Sequence, residues 1–343
     1  MTRAFFHLML AIGLWGIATA ATATPDGPVE ARLRAFDRAQ AAVVGLQVSA
    51  IEDAPSNLVL GQERMGSGVV IGADGLTLTV GYLIQEAQTI DLTTADHRSV
   101  PARSVAFDPA TGLGLVRPLL PLPGIRPVRL ASSADVAPGE LLQVMTGAAE
   151  DEDGDILPTQ LVSKRAFAGS WEYLIESGLY TAPPVEPHAG AALFTPSGEL
   201  LGIGCLLLLD VTGSSHPVPG NLFIPVDLLK PVLDELQRDG SSRQSHRPWL
   251  GLISSEAAGR IDILRVTRGS PADNAGLQPG DVVLAVDGNS VSTLAGFYRQ
   301  LWAHDPGPAG ARIELKVLQG AEVRTLQLET ADRLQSLLKP EGI

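Results

Sequence analysis

The 343-residue chain has a single cysteine, Cys205. This excludes an intramolecular disulfide framework and any zinc site built on paired cysteines. Positive charge is also scarce. Lys and Arg number 25 against 38 Asp and Glu, a net charge of −13 with no basic stripe. Phosphate contacts need clustered Lys and Arg, so no nucleic-acid partner is expected. Beyond the N-terminus there is no apolar run long enough to span a bilayer; Leu200 to Val211 carries Gly202, Gly204 and Asp210. Internal repeats and extended low-complexity tracts are absent. What is present is an ordinary globular balance of 45% hydrophobic and 18% charged residues, which excludes a mostly disordered chain. The length suggests about two domains, each able to bury a sizeable core. Dispersed glycine (36) and proline (25) fit a turn-rich β architecture.

Residues 1–23 have the composition of a secretory signal peptide. Arg3 supplies a positive start, an apolar stretch runs from Ala4 to about Ala18, and Ala18-Thr19-Ala20 and Ala21-Thr22-Ala23 offer small-residue cleavage sites. The alternative is a retained membrane anchor, but the stretch is short for one. The expectation is a periplasmic protein in which Cys205, on an apolar run, is a buried core residue.

The rest of the chain divides in two. Pro28 to about Val44 has helical spacing with Arg32, Arg34, Asp37 and Arg38 outside. Short β runs then follow, among them Gly68-Val-Val-Ile71, Leu76-Thr-Leu-Thr-Val80, Gly112-Leu-Gly-Leu-Val116 and Leu200-Leu-Gly-Ile-Gly-Cys-Leu-Leu-Leu208. Such spacing predicts an all-β barrel or sandwich. A helix is predicted over Val226–Leu236, with Leu228, Leu229, Val232, Leu233 and Leu236 as its apolar stripe. Residues 240–247 have the composition of a polar linker. The predicted units are a first domain over 24–239, a second over 248–330 with one helix near Thr293–Ala303, and a tail over 331–343.

The run Gly269-Ser-Pro-Ala-Asp-Asn-Ala-Gly-Leu-Gln-Pro-Gly-Asp281, continued by Val282-Val-Leu-Ala-Val-Asp-Gly-Asn289, closely resembles a bacterial PDZ domain. Asp287-Gly288 suits a hairpin turn. The resemblance implies capture of a C-terminal peptide as an added strand, with its carboxylate held by backbone N–H groups. The carboxylate loop would be Trp249, Leu250, Gly251 and Leu252. Leu252 and Ile253 would begin the receiving strand. Phe297 and Leu301 would line the groove or pack in the core. A module that only docks against its own partner domain is the competing reading.

The first unit resembles the trypsin-like proteases of the HtrA (Do-like) family. The resemblance rests on Arg64-Met-Gly-Ser-Gly-Val-Val-Ile-Gly-Ala-Asp-Gly75, Phe107-Asp-Pro-Ala-Thr-Gly-Leu-Gly-Leu115, Ala189-Gly-Ala-Ala-Leu-Phe-Thr-Pro-Ser-Gly-Glu-Leu-Leu-Gly-Ile203 and Asn221-Leu-Phe-Ile-Pro-Val226. It implies a mainly β fold, a trypsin-like double β-barrel followed by a PDZ domain, and a role in envelope protein quality control. The same motifs put Tyr82 in the catalytic histidine slot, Gly112 in the aspartate slot and Ala189 in the serine slot. Pro187, which has no N–H, stands where an oxyanion-hole donor is needed. A serine hydroxyl needs an adjacent oriented base, and a tyrosine with an ordinary pKa of about 10 is a poor one.

The remaining histidines offer no clear replacement for the triad. His246 falls in the linker and His304 near the end of the second-domain helix. Asp96-His97 reads as surface, and Ser215-His216 as a loop pair. His188, with Glu186, fills space or touches a ligand. No metal or other cofactor is expected, and the acidic run Glu150 to Asp155 does not fit a calcium loop. Trp171 and Tyr173 are expected to pack in the core. The sequence therefore predicts a pseudoprotease that binds C-terminal peptides or misfolded envelope proteins. The alternatives are an active serine endopeptidase with a non-standard site, or a regulatory partner of an active protease relative. It leaves homo-oligomer formation open.

Overall fold

The computed structural model describes residues 28–149, 152–303 and 310–340. The signal-peptide stretch, Glu150, Asp151 and His304 lie outside the described residues. A first helix, α1 (Pro28–Ala41), leads into a closed six-stranded barrel. Its strands are β1 (Val43–Ala50), β2 (Glu63–Val70), β3 (Thr77–Val80), β4 (Ala87–Thr93), β5 (Ser99–Asp108) and β6 (Leu113–Pro118), hydrogen-bonded in the order β1-β2-β3-β6-β5-β4. Two one-turn helices interrupt them, α2 (Asn57–Leu60) and α3 (Gly81–Ile84).

A second closed barrel follows. It comprises β7 (Leu141–Met145), β8 (Ile156–Gly169), β9 (Tyr173–Ala182), β10 (Ala192–Phe194), β11 (Leu200–Leu208) and β12 (Gly220–Pro225), in the order β10-β11-β12-β9-β8-β7. Closure leaves neither sheet with an open edge. The strand period of two sorts side chains between cores. On β12, Leu222 and Ile224 join a cluster shared by both barrels, while Phe223 joins a second cluster within the later barrel.

The predicted helix over Val226–Leu236 is broken. A 3-10 turn covers Val226–Leu228, and the regular helix α4 runs over Leu233–Asp239. Pro231 lies between them; it lacks an N–H and its ring clashes with the preceding turn, so one helix cannot run through it. The apolar stripe still forms, with Leu229, Val232 and Leu236 buried.

The third unit pairs β13 (Pro248–Trp249) with β20 (Ala331–Asp332), and builds a sheet from β14 (Leu252–Ala257), β15 (Arg260–Val266), β16 (Val282–Val286), β18 (Arg312–Gln319) and β19 (Glu322–Glu329). The short strand β17 (Asn289–Ser290) folds back on β16 through Asp287-Gly288. Helices α5 (Pro271–Asn274) and α6 (Leu294–Leu301) close it; Thr293 caps α6 by accepting from the Gly296 N–H.

Linker composition misleads. Ser242 and Ser245 are buried and cap each other reciprocally around the turn Arg243–His246. The Ser245 hydroxyl donates to the buried Asp108 carboxylate at 2.8 Å. Arg247 stacks on the Trp302 ring at 3.6 Å and donates to the Pro109 carbonyl. A polar segment reads as flexible when its partners lie far away in sequence; here those partners are on the first barrel and in the last domain. Among the described residues no helix is long and apolar enough to cross a membrane.

The two barrels meet through backbone. A Cβ on Gly147 would lie 2.1 Å from the Val44 carbonyl carbon. Gly147→Ala should therefore force the seam apart and cost about 1–3 kcal/mol, as overpacking does. Urea unfolding of the two proteins with equal m-values checks this.

Candidate functional site

The three positions expected to hold a catalytic triad converge on the barrel seam. Tyr82 is carried by α3 at the end of β3. The turn is braced by the buried Arg64 guanidinium, which donates to the Tyr82 and Gln85 carbonyls at 3.0 and 2.6 Å and to the Ser56 hydroxyl at 2.7 Å. The Tyr82 hydroxyl crosses the seam and donates to the Cys205 carbonyl on β11 at 3.0 Å. Burial pushes its pKa further above the ordinary range, so the phenol stays protonated at neutral pH.

Gly112 is adjacent. Its carbonyl accepts from the Gly81 N–H at 2.8 Å. Its backbone has φ of +77°, and a Cβ there would lie 2.6 Å from the Tyr173 hydroxyl. Tyr173 is buried and donates to the Thr111 carbonyl at 2.7 Å. The space a side chain at position 112 would enter is thus held by a tyrosine from the second barrel. Ala189 completes the group. Its carbonyl accepts from the Ser67 N–H at 2.9 Å, tying the segment before β10 to β2. The Ser67 hydroxyl accepts from the Gly147 N–H at 2.9 Å, so one residue of the first barrel holds two segments of the second.

His188 is half-buried beside this group, and burial holds its pKa below the ordinary value against the opposing charge of Glu186. Cys205 is buried among apolar neighbours, and burial pushes its thiol up to about 12. Among the described residues no three His, Cys, Asp or Glu side chains are grouped to hold a metal ion. The other histidines scatter. His97 sits 3.0 Å from Asp153 at the surface, and Ser215 and His216 hydrogen-bond to each other at 3.2 Å on an exposed loop.

His246 differs from the sequence expectation of a linker residue. Its Nδ1 lies 2.7 Å from the buried Asp332 carboxylate and its Nε2 lies 2.9 Å from the Ser241 hydroxyl. Ser241 and Asp332 were missed because Asp332 lies 86 positions away, and no spacing signals that β20 returns to the linker.

The carboxylate loop of the last domain is not open. The N–H groups of Leu250, Gly251 and Leu252 all donate to the Glu172 carboxylate, at 2.9, 2.7 and 2.7 Å. Glu172 is buried in the turn between β8 and β9. Trp249 and Ile253 flank the loop half-buried. Phe297 and Leu301, offered as groove walls, are fully buried in the core of the last domain, which is the core-packing alternative. Trp171 and Tyr173 stack at 5.7 Å between ring centroids.

Comparison with known proteins decides the family. The trypsin-like peptidase domain family matches residues 66–203, and the PDZ domain family matches residues 248–330. The chain carries the two domains of the HtrA type, a trypsin-like peptidase domain followed by a PDZ domain. It is 26% identical over 280 residues to a probable periplasmic serine endoprotease DegP-like of Ectopseudomonas mendocina (strain ymp), covering 75% of this chain and 56% of that protein. It is 26% identical over 285 residues to a like-named protein of Halomonas elongata, covering 79% and 57%. This HtrA-type chain thus spans little more than half the length of the curated relatives it matches. Its fold resembles the HtrA-type protease AlgW with tripeptide, at TM-score 0.55 and 22% identity over 90% of this chain and 98% of that one. It also resembles the serine endoprotease from Yersinia pestis, at TM-score 0.53 and 20% identity over 92% and 100%. These two likenesses are of fold.

Two outcomes follow from the burial at the seam of this HtrA-type chain. Cys205 should resist a thiol-reactive chromogen in the native protein at pH 8 and yield one equivalent after denaturation. His188 is harder to protonate folded than unfolded, so its contribution to stability is present above the ordinary histidine value of about 6.5 and is lost as pH falls below it to the lower folded value. In urea unfolding, His188→Asn should remove that part of the pH slope.

Proposed function

We propose that this HtrA-type chain is a periplasmic pseudoprotease that binds polypeptides instead of cutting them. What supports the reading is that the family motifs align Tyr82, Gly112 and Ala189 with the triad, while the Tyr82 hydroxyl is bonded to the Cys205 carbonyl and a Cβ at Gly112 would meet the Tyr173 hydroxyl. Alanine has no nucleophile, and a buried protonated phenol does not serve as general base. Pro187 adds no N–H where an oxyanion donor would lie, and one such donor is worth about 10²–10³ in rate. The PDZ domain supports binding of C-terminal peptides or partly unfolded envelope proteins, as a scaffold or chaperone-like factor. Curated relatives carry the word periplasmic in their names, and this chain works in the same compartment.

A second reading has its own observation. Ser241, His246 and Asp332 have the hydrogen-bond order of a serine–histidine–aspartate relay. Against it, the nearby N–H groups are taken: that of Ser242 donates to the Ser245 hydroxyl and that of Arg243 to the Glu235 carboxylate. A nucleophile without oxyanion donors lacks the larger part of the catalytic machinery.

The deciding experiment is casein cleavage together with fluorophosphonate labelling. The pseudoprotease predicts neither cleavage nor label. Labelling that maps to Ser241 and disappears in Ser241→Ala would establish the second reading and overturn the first. The triple change Tyr82→His, Gly112→Asp, Ala189→Ser should still fail to hydrolyse casein, because the aspartate would collide with Tyr173. Full activity in that protein would show that the seam opens at no cost.

A further inference from the structure

We propose that the turn Ser170–Tyr173 of the second barrel is the resident ligand of the PDZ domain, and that any C-terminal peptide binds only by displacing Glu172. The proposal rests on the reading that this domain takes C-terminal peptides, and adds how its site is controlled.

The geometry reproduces each element of peptide capture. A C-terminal carboxylate is bound by successive backbone N–H groups of the loop ahead of the receiving strand. Here the two carboxylate oxygens of Glu172 take all three: Oε1 accepts from Gly251 and Leu252, and Oε2 accepts from Leu250. A bound peptide also extends the sheet. The Ser254 N–H of β14 donates to the Ser170 carbonyl at 2.9 Å, a ladder bond to the turn two residues before Glu172. The opposite wall of a PDZ groove is its helix. Tyr298 of α6 donates its hydroxyl to the Gly169 carbonyl at 2.7 Å and accepts from the Glu172 N–H at 3.2 Å. The turn therefore bonds both walls, and Leu174 packs with the buried apolar cluster of the PDZ domain.

The contact is built into both partners. Glu172 has φ of +57°, a conformation few side chains adopt, and it is held there by bonds at its N–H, its carbonyl and its carboxylate. Its carbonyl accepts from Arg247 at 3.4 Å. Arg333, half-buried, donates to the Trp171 carbonyl, and its charge offsets that of Glu172. At the rim, Arg299 of α6 makes a two-pronged contact with Glu176 of β9, at 2.8 and 2.6 Å. A peptide that enters must replace three N–H bonds and leave the Glu172 carboxylate to find water. Apparent affinity is then the intrinsic affinity multiplied by the small fraction of open molecules.

The test uses the full chain, a fluorescein-labelled library of decapeptides with free C-terminal carboxylates, and the same library with C-terminal amides. Anisotropy titrations of the wild type and Glu172→Ala are paired with hydrogen exchange at Leu250, Gly251 and Leu252. The expected result is protected loop amides in the wild type and exposed ones in the variant. It includes at least about a tenfold gain in carboxylate-library affinity, with no gain for the amidated library. Glu172→Asp keeps the charge facing Arg333 but shortens its reach; it should show a smaller gain, and it is read in place of the alanine variant if that protein does not fold. Equal library affinity in wild type and variant, or unprotected loop amides in the wild type, would overturn the proposal. Loop amides released by the substitution with no library binding to either protein would uphold the internal contact and sink the peptide-binding reading instead.

Discussion

One buried carboxylate organises the relation between the two halves of this protein. Glu172 satisfies three consecutive N–H groups that would otherwise need water or a ligand, and its turn lies against both walls of the PDZ groove. Burying a charge is unfavourable unless it is hydrogen-bonded and paired. Here both conditions are met by groups from distant parts of the chain, including Arg333 beyond the PDZ sheet. The contact is therefore mutual: neither the turn nor the loop is satisfied without the other. The linker segment joins the same interface, through Ser245 on Asp108 and Arg247 on Trp302 and on the Glu172 carbonyl.

The barrel seam is held together by groups outside the positions that the family motifs align with a triad. Barrel cores are built from Leu46, Leu78, Leu113, Phe194 and Leu222, none of which takes part in hydrolysis. The positions aligned with the triad lie near strand ends, where Arg64, Ser67 and Gly81 hold the surrounding backbone. A tyrosine bridging the barrels through the Cys205 carbonyl, and a second tyrosine against Gly112, make that seam a packed joint. On the proposed reading, residues freed from catalysis have become structural.

Much of the architecture was legible in the residues. Short apolar runs and turn residues point to an all-β barrel or sandwich, and the Gly269–Asp281 run points to the PDZ unit. Both depend on local patterns of period two and on turn chemistry. The helix over Val226–Leu236 was overdrawn because an apolar stripe was weighed above Pro231. The linker was misread because polar composition does not say whether partners wait elsewhere. Trp171 and Tyr173 were correctly expected to pack, yet Glu172 between them carried no signal.

The sequence by itself determined that the fold is mainly β, and its family motifs implied a trypsin-like double barrel followed by a PDZ domain, because these are matters of local pattern and residue identity. Only the tertiary structure decided what the positions aligned with a triad touch. Glu172 lies 78 residues from Leu250, Tyr82 lies 123 from Cys205, and His246 lies 86 from Asp332. Each meeting depends on how distant segments pack together, and hydrogen bonds at that range leave no trace in spacing or periodicity.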